Sequence, residues 1–231
     1  MVEKENRIKS YNERNIHLFN RTILEDEFND YFQNEDIYFG EVSGIKQLGR
    51  LLNIEQIFGT KSSEIIFLNV GSGRQSLERL LPENALMYYL EPCPQRSTEH
   101  TVEGWSENMN MTNEGADVIL CWGVLCFVRS LPETMIEFNR VLKKGGLLIA
   151  DVVTYSTMAL PQTVNPDNFV RWVKLFGFDL EEKIEFGYET YHRRVGYRFS
   201  KFENFNYRRL MMPQCEGKIN NFLPERDWFM R

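Results

Sequence analysis

Apolar residues in this chain fall into short runs, and the runs switch between two periods. Over residues 1–60 the spacing is helical: Ile45, Leu48 and Leu52 recur on one face, and Gly59 follows as a stop. From Glu64 the texture changes. Residues 65–70 form a short, mostly apolar run ending at Gly71, the pattern of a strand buried on both faces of a parallel sheet. Leu77, Leu80 and Leu81 then predict a short helix closed by Pro82, and 86–90 a second strand. Residues 116–121 are another buried run. Leu131, Met135, Phe138 and Leu142 line a helical face that Gly145 and Gly146 break, and 147–153 is again a strand.

Asn165, Pro166 and Asp167 read as a helix start, with Phe169, Val173 and Phe176 on its inner face before Gly177. Residues 183–188 and 195–199 are the last strands. In the second of these Val195, Tyr197 and Phe199 alternate with polar residues, as in a half-exposed strand. Helices and strands alternating in this way predict an α/β fold: a doubly wound, Rossmann-like sheet of about seven mostly parallel strands over residues 64–200. The last strand should be antiparallel, because the turn before it is too short for a crossover helix. We expect two parts, a helical cap or lid over residues 1–60 and a core with pocket-forming insertions over 61–231.

Composition narrows the function. The chain has 231 residues, enough for one substantial domain with a helical extension. Its net charge of -6 argues against a broad nucleic-acid-binding surface, although Arg193, Arg194, Arg198, Arg208 and Arg209 gather late in the sequence. The four cysteines include no C-x-x-C pair, and there are three histidines, so no metal site is expected. Residues 1–14 are charged and polar without an apolar signal core, and no run approaches the ~18 apolar residues of a membrane span. The expectation is a soluble, cytoplasmic protein without membrane contact.

The first chemical signal is Asn69-Val70-Gly71-Ser72-Gly73, between the first strand and a helix. Glycines there let the backbone approach a ligand closely, and the next helix offers free N–H groups. The second is Glu91, at the end of the second strand, placed to accept both hydroxyls of a ribose. This order points to an adenosine cofactor. Ser76 stands where the dinucleotide fingerprint needs its third glycine, and no P-loop pattern occurs.

Together with these, Tyr89-Leu90-Glu91-Pro92, Gly104-Trp105-Ser106-Glu107-Asn108-Met109, Ala116-Asp117-Val118-Ile119-Leu120-Cys121-Trp122 and Phe138-Asn139-Arg140-Val141-Leu142-Lys143-Lys144-Gly145-Gly146 follow in a characteristic order. The chain resembles a bacterial class I S-adenosylmethionine-dependent methyltransferase, of the broad group that includes the type 11 domains, from about residue 64 to 187. The resemblance implies S-adenosylmethionine as cofactor. It implies that Asn69, Gly71, Ser72 and Gly73 pass under the methionine part and that Glu91, followed by Pro92, holds the ribose. Trp105 and Ser106 would flank the adenine, and Cys121 and Trp122 would face the cofactor from the fourth strand. The 140–146 stretch would be structural. The family often has an acid at the positions of Asn69 and Trp105, and a further glycine where Arg74 and Gln75 follow. These departures read as subgroup variation.

A general base is needed only if the acceptor is protonated. His17, Asp151 and His192 are the candidates, and the sequence does not choose among them. Aromatic and Met residues outside the cofactor motifs, such as Tyr31, Phe32, Tyr155 and Met211, suit a small and possibly aromatic acceptor, but ordinary core packing explains them as well. The expected activity is methyl transfer to a small molecule. The alternatives are a degenerate fold acting as a binding or partner subunit, and an RNA methyltransferase using the late arginines.

Overall fold

In the computed structural model, seven strands form one sheet in the order β3-β2-β1-β4-β5-β7-β6. The structure describes residues 42–53, 63–71, 81–91, 100–156, 164–188 and 192–206. The strands are β1 (Ile65–Val70), β2 (Ala85–Glu91), β3 (Thr101–Glu103), β4 (Ala116–Cys121), β5 (Leu142–Ser156), β6 (Phe178–Tyr188) and β7 (His192–Lys201). Among the described residues the helices are α1 (Val42–Leu52), α2 (Leu131–Val141) and α3 (Pro166–Leu175). β1 to β5 run parallel, and β7 is antiparallel to both β5 and β6. The strand order reverses beside β1 and β4, where open α/β sheets carry their ligand crevice. The expected helix over 77–81 and most of residues 1–60 lie outside the described residues.

The side-chain period of two splits the core into two faces. Leu68, Val70, Ile119 and Cys121 pack with Phe138 of α2 and with Phe169 and Val173 of α3. Phe67, Val118, Leu120 and Ile149 pack with Leu48, Leu51 and Leu52 of α1. Helix ends follow their residues: Ser130 caps α2 by accepting from Glu133 N, and Asn165 caps α3 by accepting from Asp167 N and Asn168 N, both at 3.1 Å. Among the described residues no helix is long and apolar enough to cross a membrane.

Three details differ from the sequence reading. Leu142 does not extend the helical face. It caps α2 in an extended conformation (φ -74°, ψ 135°) and starts β5, whose register against β4 shifts to accommodate the glycine pair. β3 has three residues, too few for any hydrophobic period to reveal it. And β7 is not half-exposed: it lies between β5 and β6, and α1 covers its polar face, so Arg194 and Arg198 are buried as well as Val195, Tyr197 and Phe199.

Burying those charges requires partners. Arg198 pairs with Glu181 at 3.1 Å and Glu182 at 3.2 Å, and donates to the Leu51 carbonyl at the end of α1. Lys201 donates to the carbonyls of Asn139 and Leu142, each at 2.7 Å, and so caps the end of α2. Lys201→Met keeps the aliphatic stem and removes both bonds. It should cost about 1.5–3 kcal/mol, the range for hydrogen bonds to a charged group. Thermal unfolding checks this, with a fall in Tm of roughly 3–10 °C expected for a domain of this size.

Candidate functional site

Gly71 closes β1 in the left-handed region, at φ +65°, and its N–H donates to the Leu90 carbonyl at 2.8 Å. A side chain there would be strained and crowded, because a Cβ would lie 2.7 Å from Val124 Cγ2. Asn69, two residues earlier, is 2% exposed, and its Nδ2 is buried without a hydrogen-bond partner. Across the register Glu91 closes β2, half-buried, and its carbonyl accepts from Gly104 N at 3.0 Å. Ser72, Gly73 and Pro92 lie outside the described residues.

After β3 the chain turns tightly, with Trp105 bridging to Asn108. This turn is fastened from below. Glu107 accepts from the N–H groups of Arg129 and Ser130, at 2.6 and 3.2 Å, and from the Ser106 hydroxyl at 3.0 Å. Ser106 is buried and also lies 3.2 Å from Thr134 Oγ1, so its hydroxyl is engaged within the protein. Arg140 holds the next stretch by donating to the carbonyls of Met109 and Met111.

At the end of β4, Cys121 and Cys126 are buried. Burial, with the negative charge of Asp151 nearby, raises the Cys121 thiol well above its usual range, and burial pushes Cys126 up to about 12. Both are therefore neutral thiols rather than nucleophiles. Trp122 stacks on Phe186 of β6, with ring centroids 5.2 Å apart and planes 5° from parallel. The Arg194 guanidinium lies 5.8 Å from the Trp122 ring and 5.4 Å from the Phe186 ring, a cation–π arrangement. Trp122 Nε1 is buried without a partner.

Asp151 is almost wholly buried in β5, and both of its carboxylate oxygens are occupied. One accepts from the Gly123 N–H, and the other pairs with Arg194 of β7. Burial raises its pKa, against the pull of Arg194 and the Gly123 N–H. His192 opens β7 opposite Ser156 and Tyr188, which puts its backbone at the same edge as the carboxyl end of β5. His17 lies outside the described residues. Gly71, Glu91, Trp105 and Trp122 thus all sit at the carboxyl edge of the parallel strands, and Asp151, one residue past the Cys121–Ala150 pairing, lies level with Trp122.

Sequence reasoning missed Arg194 as the partner of Asp151, since 43 residues separate them. The available signal was an acid inside an otherwise apolar strand. It also read Arg194 and Arg198 as part of a basic cluster, whereas both are buried and paired, which removes them from any nucleic-acid surface.

Comparison with known proteins places this arrangement. A family model described as a methyltransferase domain matches residues 47–183, more than half of the chain. The chain belongs to the class I methyltransferases. A curated relative of this chain is the thiol S-methyltransferase TMT1B of Rattus norvegicus, 29% identical over 110 residues. The match covers 41% of this chain and 45% of that protein, so the chain spans less than half the length of this relative.

Among solved structures, Burkholderia thailandensis 1,6-didemethyltoxoflavin-N1-methyltransferase, bound to 1,6-didemethyltoxoflavin and S-adenosylhomocysteine, superimposes with a TM-score of 0.59. It is 10% identical, over 77% of this chain and 87% of that one. The [4+2]-cyclase SpnF superimposes with a TM-score of 0.54 at 12% identity, over 69% and 81% of the two chains. At such identities the likeness is one of fold.

Proposed function

We propose that this methyltransferase binds S-adenosylmethionine across the carboxyl ends of β1, β2 and β4 and passes its methyl group to a small-molecule acceptor. The observation that carries the reading is the left-handed Gly71 turn at the switch point of the sheet, with Glu91 ending the neighbouring strand. The residues fit the cofactor on a second count. The buried, unpartnered Nδ2 of Asn69 and Nε1 of Trp122 are donors that a ligand rich in oxygen and nitrogen acceptors would satisfy.

In this reading Asn69, Gly71, Ser72 and Gly73 hold the methionine end, and Glu91, with Pro92 after it, accepts the ribose hydroxyls. Trp105 and the backbone of Ser106 border the adenine, and Cys121 and Trp122 close the site from β4. The bound cofactor supplies an already activated methyl group, so what this chain contributes is orientation and the exclusion of water. With both oxygens of Asp151 engaged, His17 and His192 are the candidates for a base, needed only for a protonated acceptor. Residues ahead of α1 would close over the acceptor.

The probes are taken from two named activities, thiol S-methylation by the curated relative and N1-methylation of 1,6-didemethyltoxoflavin by a protein of like fold. Conversion of S-adenosylmethionine to S-adenosylhomocysteine, followed with a panel of small thiols and aromatic nitrogen heterocycles, tests the proposal. Acceptor-dependent turnover supports it. Binding without turnover across both classes would favour a non-catalytic role. Glu91→Ala should weaken S-adenosylhomocysteine binding by about 1.5–3 kcal/mol while the fold persists, since a strand-end carboxylate is not core. Calorimetry paired with thermal unfolding reads both effects.

A further inference from the structure

We infer that Asp151 is a positioning residue for the cofactor turn, acting through Gly123 and Val124 on Gly71. The inference rests on the reading that the Gly71 turn holds S-adenosylmethionine.

Four contacts form the chain of support. Arg194, fixed on β7 and lying against the stacked rings of Trp122 and Phe186, pairs with one oxygen of Asp151. The other oxygen accepts from the N–H of Gly123, which sits at φ +79° and so turns the chain sharply out of β4. That turn presents Val124 to the glycine turn so closely that a methyl group added at Gly71 would lie 2.7 Å from Val124 Cγ2 and 3.2 Å from Cγ1. Gly71 in turn is tied to β2 through its N–H bond to Leu90. A carboxylate in the middle of β5 therefore sets how far the β4 loop presses onto the end of β1. Ligand-contacting loops need this kind of fixed support, because small displacements of a site cost much of its affinity.

The test is the affinity for S-adenosylhomocysteine, measured by calorimetry well below the melting temperature. The proteins compared are the wild type, Asp151→Asn, Val124→Ala and the distant Lys201→Met. Asp151→Asn keeps an oxygen for Gly123 but gives up the ion pair, and Val124→Ala removes the two methyl groups nearest Gly71 while leaving Asp151 alone. Both should raise Kd, by about tenfold for Asp151→Asn. Lys201→Met should lose stability and keep wild-type affinity. Unchanged affinity in folded Asp151→Asn overturns the proposal. If that variant does not fold, unchanged affinity in Val124→Ala overturns it instead. An equal loss in Lys201→Met also overturns it, since the effect would then be general destabilisation. A wild-type protein that does not bind S-adenosylhomocysteine would refute the cofactor reading itself, and this proposal with it.

Discussion

Arg194→Met is expected to cost about 3–5 kcal/mol of folding free energy, the range for removing one partner of a buried ion pair. The guanidinium is 5% exposed, and the carboxylate it faces in β5 is more buried still. Methionine fills much of the same volume, so the loss comes mainly from the Asp151 charge left without its counter-ion. That gives the effect a pH signature. Burial already raises the Asp151 pKa, and Arg194 opposes that rise. Without Arg194 the folded-state pKa climbs further above the unfolded value. A group raised in this way contributes stability that is present below its unfolded pKa and is lost as pH rises through the folded one. The variant should therefore lie closest to the wild type in acid and fall furthest behind at neutral pH and above. Denaturant unfolding at both ends of that range measures it. A loss under about 1 kcal/mol at neutral pH would mean that the pair is as weak as a surface one.

Gly71→Val should damage both folding and binding. The left-handed backbone costs a side chain about 1–3 kcal/mol, and a β-branched one resists it most. Crowding against Val124 adds a further overpacking term of about 1–3 kcal/mol. The protein should fold with a lower Tm. The folded protein should also bind S-adenosylhomocysteine on the order of a hundredfold more weakly, because the branched side chain and the shifted turn both intrude where the cofactor passes. Gly71→Ala carries the same backbone strain with less bulk and should fall between the two. A Gly71→Val protein that loses stability but binds normally would make this glycine a purely structural turn.

What could be read from the sequence was local. Residues 65–70 and 116–121 are mostly apolar on both faces, and both are central strands at those bounds. Asn165 and Pro166 announced α3, and the short link between the last strands announced the antiparallel β7. Gly71 and Glu91 stood out for the same reason, since a glycine or an acid at a strand end is a local signal. What could not be read depended on pairing across distance. β7 alternates like a half-exposed strand, and nothing in its own sequence says that α1 covers the polar side and that Asp151, Glu181 and Glu182 neutralise its arginines. Leu142 has the spacing of α2 but leaves it for β5, because Gly145 and Gly146 must start a register against β4 that the helical period does not encode. The closeness of Val124 to Gly71 is likewise a fact of packing, visible once β1 and β4 are neighbours.

Titration of S-adenosylhomocysteine into the wild-type protein by isothermal calorimetry, with Glu91→Ala as the paired variant, tests the central claim most directly. The account predicts saturable binding at one site per chain, and binding weakened by about 1.5–3 kcal/mol in a folded Glu91→Ala protein. No binding to the wild type, or equal binding to both proteins, would contradict it.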